Sequence, residues 1–484
     1  MTDSAYREAT AQLEDLEAKR VSARDLLREA LARREAVDPA LNSVVNTDIE
    51  RAERDAAAID DARARNVPLG PLAGLPMTIK DGYDVEGMPA IAGMPGLRGR
   101  PTDCPDADVV ADARTAGAVI WGKTNVPAML SDLQSFNSVY GTTNNPWDTA
   151  RTPGGSSGGA AAALAAGITA LEIGSDIGGS LRHPANFCGV YALKPTWDQL
   201  SMRGQVPPGP GTYINMDLGV AGPMARSVAD LRLLYRVLRG TARSAASTPV
   251  TAPRDLRVAV WLEEPEYRLD DEVRRVLDTA AESLRSTGVT VVPARPPVSV
   301  PQLMTTYFGL LNSTLMAGAP DSLFERLVSD RLRAQAALAD GADRYSYEAF
   351  VVDSTASFRT VVGHRTVREE IRNALATWFQ EWDAVLMPIG AVPAFTHRQN
   401  GTMFQRTITV NGADEPYARM LDWIALATAT HAPALAAPVG QTNDGLPVGV
   451  QLVGRWGDEE RLLDLAAHLE TVTDGFRPPE LAIM

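Results

Sequence analysis

Lysine is rare in this sequence, and its positions give the first indication of chemistry. The chain has 46 basic residues, but only four are lysine, and Lys80, Lys123 and Lys194 all lie in the same part of the chain. Arginine stays protonated at any workable pH, whereas lysine can lose its proton near neutral pH if burial lowers its pKa from about 10.4. These three lysines are therefore candidates for a general base.

Two glycine-rich segments in the same region carry candidate serines. Nine of the 39 glycines lie within residues 150–190, where Ser156 stands in Gly-Gly-Ser-Ser-Gly-Gly and Ser180 ends Gly-Ser-Asp-Ile-Gly-Gly-Ser. We expect a helix to open at Ser180, with backbone N–H groups converging there on an anion such as a tetrahedral oxyanion. These N–H groups belong to Ile177, Gly178, Gly179 and Ser180. We favour the constellation Lys80, Ser156 and Ser180, although a helix cap explains Ser180 alone equally well.

Two shorter motifs match known patterns by letter only. Residues 117–124 fit the phosphate-loop pattern G-x-x-x-x-G-K-[ST], but the intervening Ala-Val-Ile-Trp predicts a buried strand rather than a phosphate-binding loop. Residues 154–159 fit the nucleophile-elbow pattern G-x-S-x-G, yet a loop precedes them where that motif needs a hydrophobic strand. No histidine lies in a context typical of a catalytic base, and we expect His183 to pack structurally.

The elements around these motifs alternate between strands and helices, which predicts an α/β fold. Strands are expected at 77–80, 118–121, 168–173, 190–193, 257–262, 289–293, 384–388 and 448–453. Helices are expected at 4–37 (two helices), 45–65, 160–166, 226–239, 271–287, 302–380 and 457–470. Residues 241–254 are the best candidate for a linker.

Composition and charge argue against several classes of protein. The chain has 484 residues and a formal net charge of −14, which disfavours binding to nucleic acid or to an anionic membrane. The alanine-rich stretch 423–440 contains His431 and two prolines and is not expected to span a membrane. Two cysteines and five scattered histidines offer no metal-ligand spacing. We expect a cytoplasmic protein without a metal or an organic cofactor.

Longer motifs resemble one family closely. They comprise residues 122–127, 145–147, 154–159, 174–185, 187–196, 222–228 and 445–451 of this sequence, together with Lys80-Asp at a strand end. These motifs resemble the amidase signature family, which includes bacterial amidases and fatty acid amide hydrolase. The resemblance extends from about residue 70 to residue 470.

The resemblance implies a Ser–cis-Ser–Lys triad. Ser180 matches the family nucleophile, Ser156 matches the bridging serine after a cis peptide, and Lys80 matches the lysine base. Such a triad hydrolyses amides through an acyl-enzyme, and the oxyanion loop stabilises the tetrahedral intermediate. Asp176, Arg182, Lys123 and Lys194 are expected to have structural roles.

The resemblance also implies one large α/β domain over residues 1–484, with a mixed β-sheet core covered by helices on both faces. Helices within residues 1–65 would pack on a core that holds the catalytic residues at 70–240. The variable segment 302–380 would shape the substrate pocket, together with residues 128–138 and 206–216. Met129, Leu130 and Ser157 are expected to contact the substrate.

The expected substrate is a small-molecule amide, and esters and carbamates (urethanes) form the same type of acyl intermediate. If apolar residues of the segment 302–355 line the pocket, the acyl or amine group is hydrophobic. Two alternatives remain at this point. One is the glutaminase-type subunit of a tRNA-dependent amidotransferase, although the residues after Thr196 depart from its pattern. The other is a catalytically idle binding protein on the same scaffold. We expect a monomer or a homodimer.

Overall fold

The computed structural model describes residues 4–209, 215–240 and 251–481, and most of the proposed linker lies outside these ranges. The strands are β1 (Val44–Thr47), β2 (Pro76–Lys80), β3 (Val119–Thr124), β4 (Phe136–Asn137), β5 (Gly141–Thr142), β6 (Leu171–Asp176), β7 (Tyr191–Lys194), β8 (Val220–Ala225), β9 (Arg257–Val260), β10 (Thr290–Pro293), β11 (Ala384–Pro388), β12 (Thr407–Val410), β13 (Ala413–Pro416), β14 (Ala434–Gln441) and β15 (Pro447–Gly454). The α-helices are α1 (Ala9–Glu17), α2 (Ala23–Leu41), α3 (Ile49–Ala64), α4 (Asp108–Thr115), α5 (Gly158–Ala165), α6 (Arg182–Cys188), α7 (Val228–Leu238), α8 (Asp271–Ser286), α9 (Val300–Met316), α10 (Asp321–Ala339), α11 (Tyr347–Ser354), α12 (Phe358–Trp378), α13 (Ala425–Ala429) and α14 (Glu459–Glu470).

A mixed sheet of 11 strands forms the core of a single large α/β domain, in the order β1-β3-β2-β6-β8-β7-β14-β15-β11-β9-β10. The predicted fold class is therefore confirmed. Strands β3, β2 and β6 run parallel to one another, so their carboxyl ends meet at the same edge of the sheet. In open α/β sheets this edge is where ligands bind.

Side chains along the strands alternate between the two faces of the sheet, so both faces are apolar. Helices cover both faces, and each face forms an apolar cluster with them. In β11, Ala384 and Leu386 belong to the cluster packed against α2, α7, α8 and α14. Val385 and Met387 belong to the cluster packed against α5, α6 and α9. Helix α5 is buried along its whole length, which explains why it is made almost entirely of glycine and alanine.

Local sequence signals account for several helix ends. Ser22 caps α2 as its spacing to Asp25 predicts, and the two residues form a complete capping box. Ser227 caps α7 by accepting the backbone N–H of Asp230. Within the described ranges, no helix is long and apolar enough to cross a bilayer.

Three strands of the large sheet differ from the predicted elements. Residues 44–47 form β1, which pairs with β3, although a helix was predicted over 45–65; the helix α3 begins only at Ile49. Strands β8 and β14 were not predicted. The alanine-rich sequence of β14 has one β-branched residue, Val439, where strands usually have several. Its position is set by pairing with β7 and β15.

Candidate active site

The carboxyl ends of β2 and β6 bring the first site residues together. Lys80 is the last residue of β2, and Ser175 and Asp176 end the neighbouring strand β6. Met77 and Ile79 pack into the cluster on one face of the sheet. Alternation therefore directs Lys80 to the opposite face, which α5 covers.

Three serine hydroxyls surround the Lys80 ammonium group. The Nζ atom lies 2.7 Å from Ser156 Oγ, 2.8 Å from Ser157 Oγ and 3.0 Å from Ser175 Oγ. A hydroxyl can both donate and accept a hydrogen bond, so this environment suits a neutral amine as well as a charged one. Ser175 was not singled out from the sequence, although its place beside the strand-end Asp176 was a usable signal.

Burial controls the proton affinity of this lysine. Lys80 is fully buried, and desolvation lowers its pKa from 10.5 to about 7, against the opposing charges of Asp176 and Glu172. Glu172, on β6, is itself fully buried, and desolvation raises its pKa to about 8. A carboxyl that stays largely protonated at neutral pH does little to stabilise the lysine cation.

The turn that carries Ser180 is held by Asp176. This carboxylate accepts the backbone N–H of Gly179 at 3.0 Å and of Leu181 at 3.0 Å, and it pairs with Arg182 at 2.8 Å. Burial alone would raise the pKa of Asp176, but the Arg182 guanidinium and these hydrogen bonds hold it well below its usual range. Arg182 also donates to the Ile424 carbonyl, so both residues have the structural roles that were predicted.

The candidate oxyanion site differs in two details from the prediction. Helix α6 begins at Arg182 rather than at Ser180. The Gly179 N–H donates to the Asp176 carboxylate, and Gly179 has a positive φ of +85°. Among the described residues, the N–H groups of Ile177, Gly178 and Ser180 have no hydrogen-bond acceptor. These three groups are therefore available to donate hydrogen bonds to an anion.

Ser156 and Ser180 face one small cavity, which we call the reaction chamber. Its volume is about 30 Å³, enough for roughly two water molecules. Ser156, Ser175, Ile177 and Ser180 belong to its lining. The peptide bond before Ser156 is cis, as the resemblance implies.

Ser157 is not placed where a substrate contact was expected. Its side chain is fully buried and lines neither the reaction chamber nor the larger cavity beside it. The hydroxyl instead faces Lys80, and the backbone N–H donates to the Ser180 carbonyl at 3.1 Å. Ser157 therefore holds the Lys80 amine and the turn that carries Ser180.

A larger cavity of about 320 Å³, here called the apolar cavity, adjoins the reaction chamber. Met129 and Leu130, the predicted substrate contacts, line both spaces. Both residues have positive φ values, +54° and +57°, which are uncommon for side chains other than glycine, asparagine and aspartate. The predicted pocket loop 206–216 contributes Pro207, Pro208 and Met216, and its residues 210–214 lie outside the described ranges.

The other lysines and His183 have structural environments. Lys123 forms a fully buried ion pair with Asp81 at 2.7 Å, and its strand confirms that residues 117–124 are not a phosphate loop. Lys194 donates to the carbonyls of Pro195 and Ala432. His183 is buried against Phe187, and burial lowers its pKa to about 4. In the described part of the chain, no group of three or more histidine, cysteine, aspartate or glutamate side chains could hold a metal ion.

The sequence matches one known protein family over most of its length. Residues 25–463 match the amidase family. The chain belongs to the amidase family. This result covers every site residue described above and agrees with the resemblance seen in the motifs.

Two curated members of the family are similar over almost their whole length. A glutamyl-tRNA(Gln) amidotransferase subunit from Prochlorococcus marinus (strain MIT 9313) is 34% identical, covering 93% of this chain and 94% of that protein. AtzE, the 1-carboxybiuret hydrolase subunit from Pseudomonas sp. (strain ADP), is 33% identical, covering 91% of this chain and 93% of that protein.

A solved structure described as a vestigial protein complex that reveals the evolutionary origins of an s-triazine catabolic enzyme has the same fold. Its TM-score is 0.79 at 30% identity, covering 98% of this chain and 100% of that one. Family membership thus supports chemistry on amide C–N bonds in general terms, and the relatives differ in what they act on.

Proposed function

We propose that this protein hydrolyses carboxamides, releasing ammonia or an amine, through an acyl-enzyme on Ser180. The observation that carries the proposal is the fully buried Lys80 Nζ, 2.7 Å from Ser156 Oγ, beside a chamber that Ser180 also lines. A lysine with a pKa near 7 can act as a base at physiological pH. No cofactor takes part, and esters and carbamates are further candidate substrates.

Acylation begins when Ser180 Oγ attacks the carbonyl carbon. The Ser180 proton passes to Ser156 Oγ, while the Ser156 hydroxyl proton passes to Lys80 Nζ. The carbonyl oxygen becomes an oxyanion, which the N–H groups of Ile177, Gly178 and Ser180 stabilise. When the C–N bond breaks, the proton returns from Lys80 through Ser156 to the leaving nitrogen.

Deacylation uses the same relay with water as the nucleophile. A water molecule gives its proton to Ser156 and Lys80 and attacks the Ser180 ester. Collapse of the second tetrahedral intermediate breaks the bond to Ser180 Oγ, which regains the proton. The product is the carboxylic acid, and the free enzyme is restored.

The second candidate is a glutaminase-type subunit of an amidotransferase, which the 34% identity to the Prochlorococcus marinus protein favours. Free glutamine carries an ammonium and a carboxylate that a binding site must pair. Asp132 and Arg344 are the charged residues among those lining the apolar cavity, and each is already paired within the protein, with Arg406 and with Glu266. We therefore place a free-standing amidase, as monomer or homodimer, first.

Labelling with a fluorophosphonate and assay of released amine test the proposal together. We expect a single covalent adduct on Ser180, located by peptide mass spectrometry, and release of amine from simple carboxamides. An idle binding protein would show neither result. If glutamine were the one amide hydrolysed, and if its hydrolysis required further subunits, the result would instead support the amidotransferase role.

The pH dependence of kcat/KM follows from the state of Lys80. The active form has a neutral lysine, so the rate constant should rise with pH through about 7 and level off above it. At pH 5 roughly 1% of the lysine would be neutral, which predicts a rate about a hundredfold below the plateau. Coupling to Glu172 makes the observed pKa a property of the pair.

A pH–rate profile measured with and without EDTA checks this prediction. The two profiles should coincide, since the proposed relay uses no metal. An acidic optimum would contradict a lysine base, and loss of activity with the chelator would indicate a metal-dependent hydrolase.

A further inference from the structure

The apolar cavity leads directly from the nucleophile. Ser180, Met129, Leu130, Ile177 and Leu315 line both this cavity and the reaction chamber. A group attached to a carbonyl beside Ser180 can therefore extend into the cavity without crossing a barrier of protein.

The far walls of the cavity are made of large apolar side chains from three elements and one loop. Helix α9 supplies Phe308 and Leu311, and α10 supplies Leu323. Helix α11 supplies Phe350, and a loop supplies Met403 and Phe404. Aromatic rings and methionine sulfur make favourable contacts with the faces and edges of other rings. This lining is therefore suited to an aromatic group.

The charged side chains in the lining already have partners in the protein. Asp132 pairs with Arg406 at 2.6 Å and accepts the Tyr417 hydroxyl at 2.8 Å. Arg344 lies 3.3 Å from Glu266. A charged substrate group would lose its water here without gaining a free side chain of opposite charge, which costs binding free energy.

The volume of the cavity limits the size of the group. An apolar cavity of about 150 Å³ in an engineered protein holds one benzene molecule. The value here is about 320 Å³, which corresponds to room for about two rings.

We propose that the preferred substrates are uncharged amides or carbamates that place an aryl group of about two rings in the apolar cavity. This inference rests on the proposed amide hydrolysis and adds the chemical class of the substrate. The group can belong to the acyl side or to the amine side, and two substrate series separate these cases.

The first experiment measures kcat/KM along both series. The acyl series is acetamide, benzamide and 2-naphthamide, and the amine series is N-methylacetamide, acetanilide and N-(2-naphthyl)acetamide. We expect kcat/KM to rise about tenfold or more with each ring in one series, because a single methylene in an apolar pocket is already worth about tenfold. A three-ring anthracene member should fall below the naphthalene member.

The second experiment changes the size of the cavity. Leu323→Trp on α10 fills its far wall, away from the reaction chamber, and should lower the ratio of naphthyl to small-amide kcat/KM by about tenfold. Leu323→Ala should move the optimum toward the three-ring substrate. Val328→Trp on the same helix is the matched control, since Val328 is 49% exposed and lies outside the cavity lining, and its ratio should equal that of the wild type.

The outcomes separate this inference from the proposed function. Hydrolysis of acetamide with flat or falling kcat/KM in both series would overturn the aryl preference and leave the amidase assignment standing. An unchanged ratio in Leu323→Trp, with fluorophosphonate labelling at the wild-type rate as evidence of folding, would also overturn it. Failure of every amide together with failure of labelling would overturn the proposed function itself.

Discussion

Replacement of Ser180 by alanine is expected to abolish turnover and leave the protein folded. The hydroxyl supplies the covalent bond to the acyl group, and losing such a nucleophile typically lowers kcat by about a thousandfold or more. Ser180 Oγ makes no hydrogen bond to any residue in the described ranges, so its removal should change stability little. Amine release and far-ultraviolet circular dichroism of the purified variant measure the two effects.

Ser329→Ala on the exposed face of α10 is a suitable control and should retain full activity, since its hydroxyl bonds only to the Arg326 carbonyl within the same helix. The Ser180 variant should also fail to take up the fluorophosphonate. Retention of more than about a hundredth of wild-type kcat, far above the loss typical of a nucleophile, would show that another residue forms the covalent bond or that none forms.

Replacement of Lys80 by arginine is expected to be nearly as damaging as replacement by alanine. If Lys80 served only as a cation for the surrounding serines, arginine would restore the charge. A guanidinium stays protonated at any workable pH and cannot accept the proton from Ser156. Loss of a general base lowers the rate by about 100-fold to 10,000-fold, and steady-state kinetics of both variants measure it.

Lys19→Arg is the matched control for the same chemical change. Lys19 is exposed, and its ammonium group donates a hydrogen bond to the Asn66 side chain. That variant should behave as wild type. Kinetics close to wild type in Lys80→Arg would assign Lys80 a structural charge and remove the base from the proposed relay.

The sequence predicted the parts of the site that depend on residue type. Lys80 stood out because arginine replaces lysine almost everywhere else, and Ser156 and Ser180 stood out because glycines surround them. The structure places Lys80 and Ser156 in hydrogen-bond contact. It also places Ser180 at the same chamber as Ser156.

The parts that depend on three-dimensional contacts could not be predicted in this way. Glu172 lies near Lys80 because β6 pairs with β2 in one particular register, which no local pattern reveals. The orientation of Ser157 toward Lys80 depends on how the chain enters α5. The Gly179 N–H donates its hydrogen bond to Asp176. A structural role was predicted for Asp176, but its hydrogen-bond partners could not be read from the sequence.

The arrangement of strands in the large sheet has a consequence for synthesis of the chain. Every strand of this sheet that precedes β9 in the chain lies on one side of the β7–β14 junction, so this half of the sheet can pair while the ribosome is still translating the rest. The edge of β7 that faces β14 stays unpaired until β14 has been synthesised, since Ala434 of β14 pairs with Lys194 across 240 positions. At about 5 to 20 residues per second, this delay is roughly 12 to 48 s. During that interval the nascent protein exposes an unpaired apolar edge, which is a template for aggregation.

Slower translation of residues 195–433 would therefore lower the soluble yield unless a chaperone covers β7.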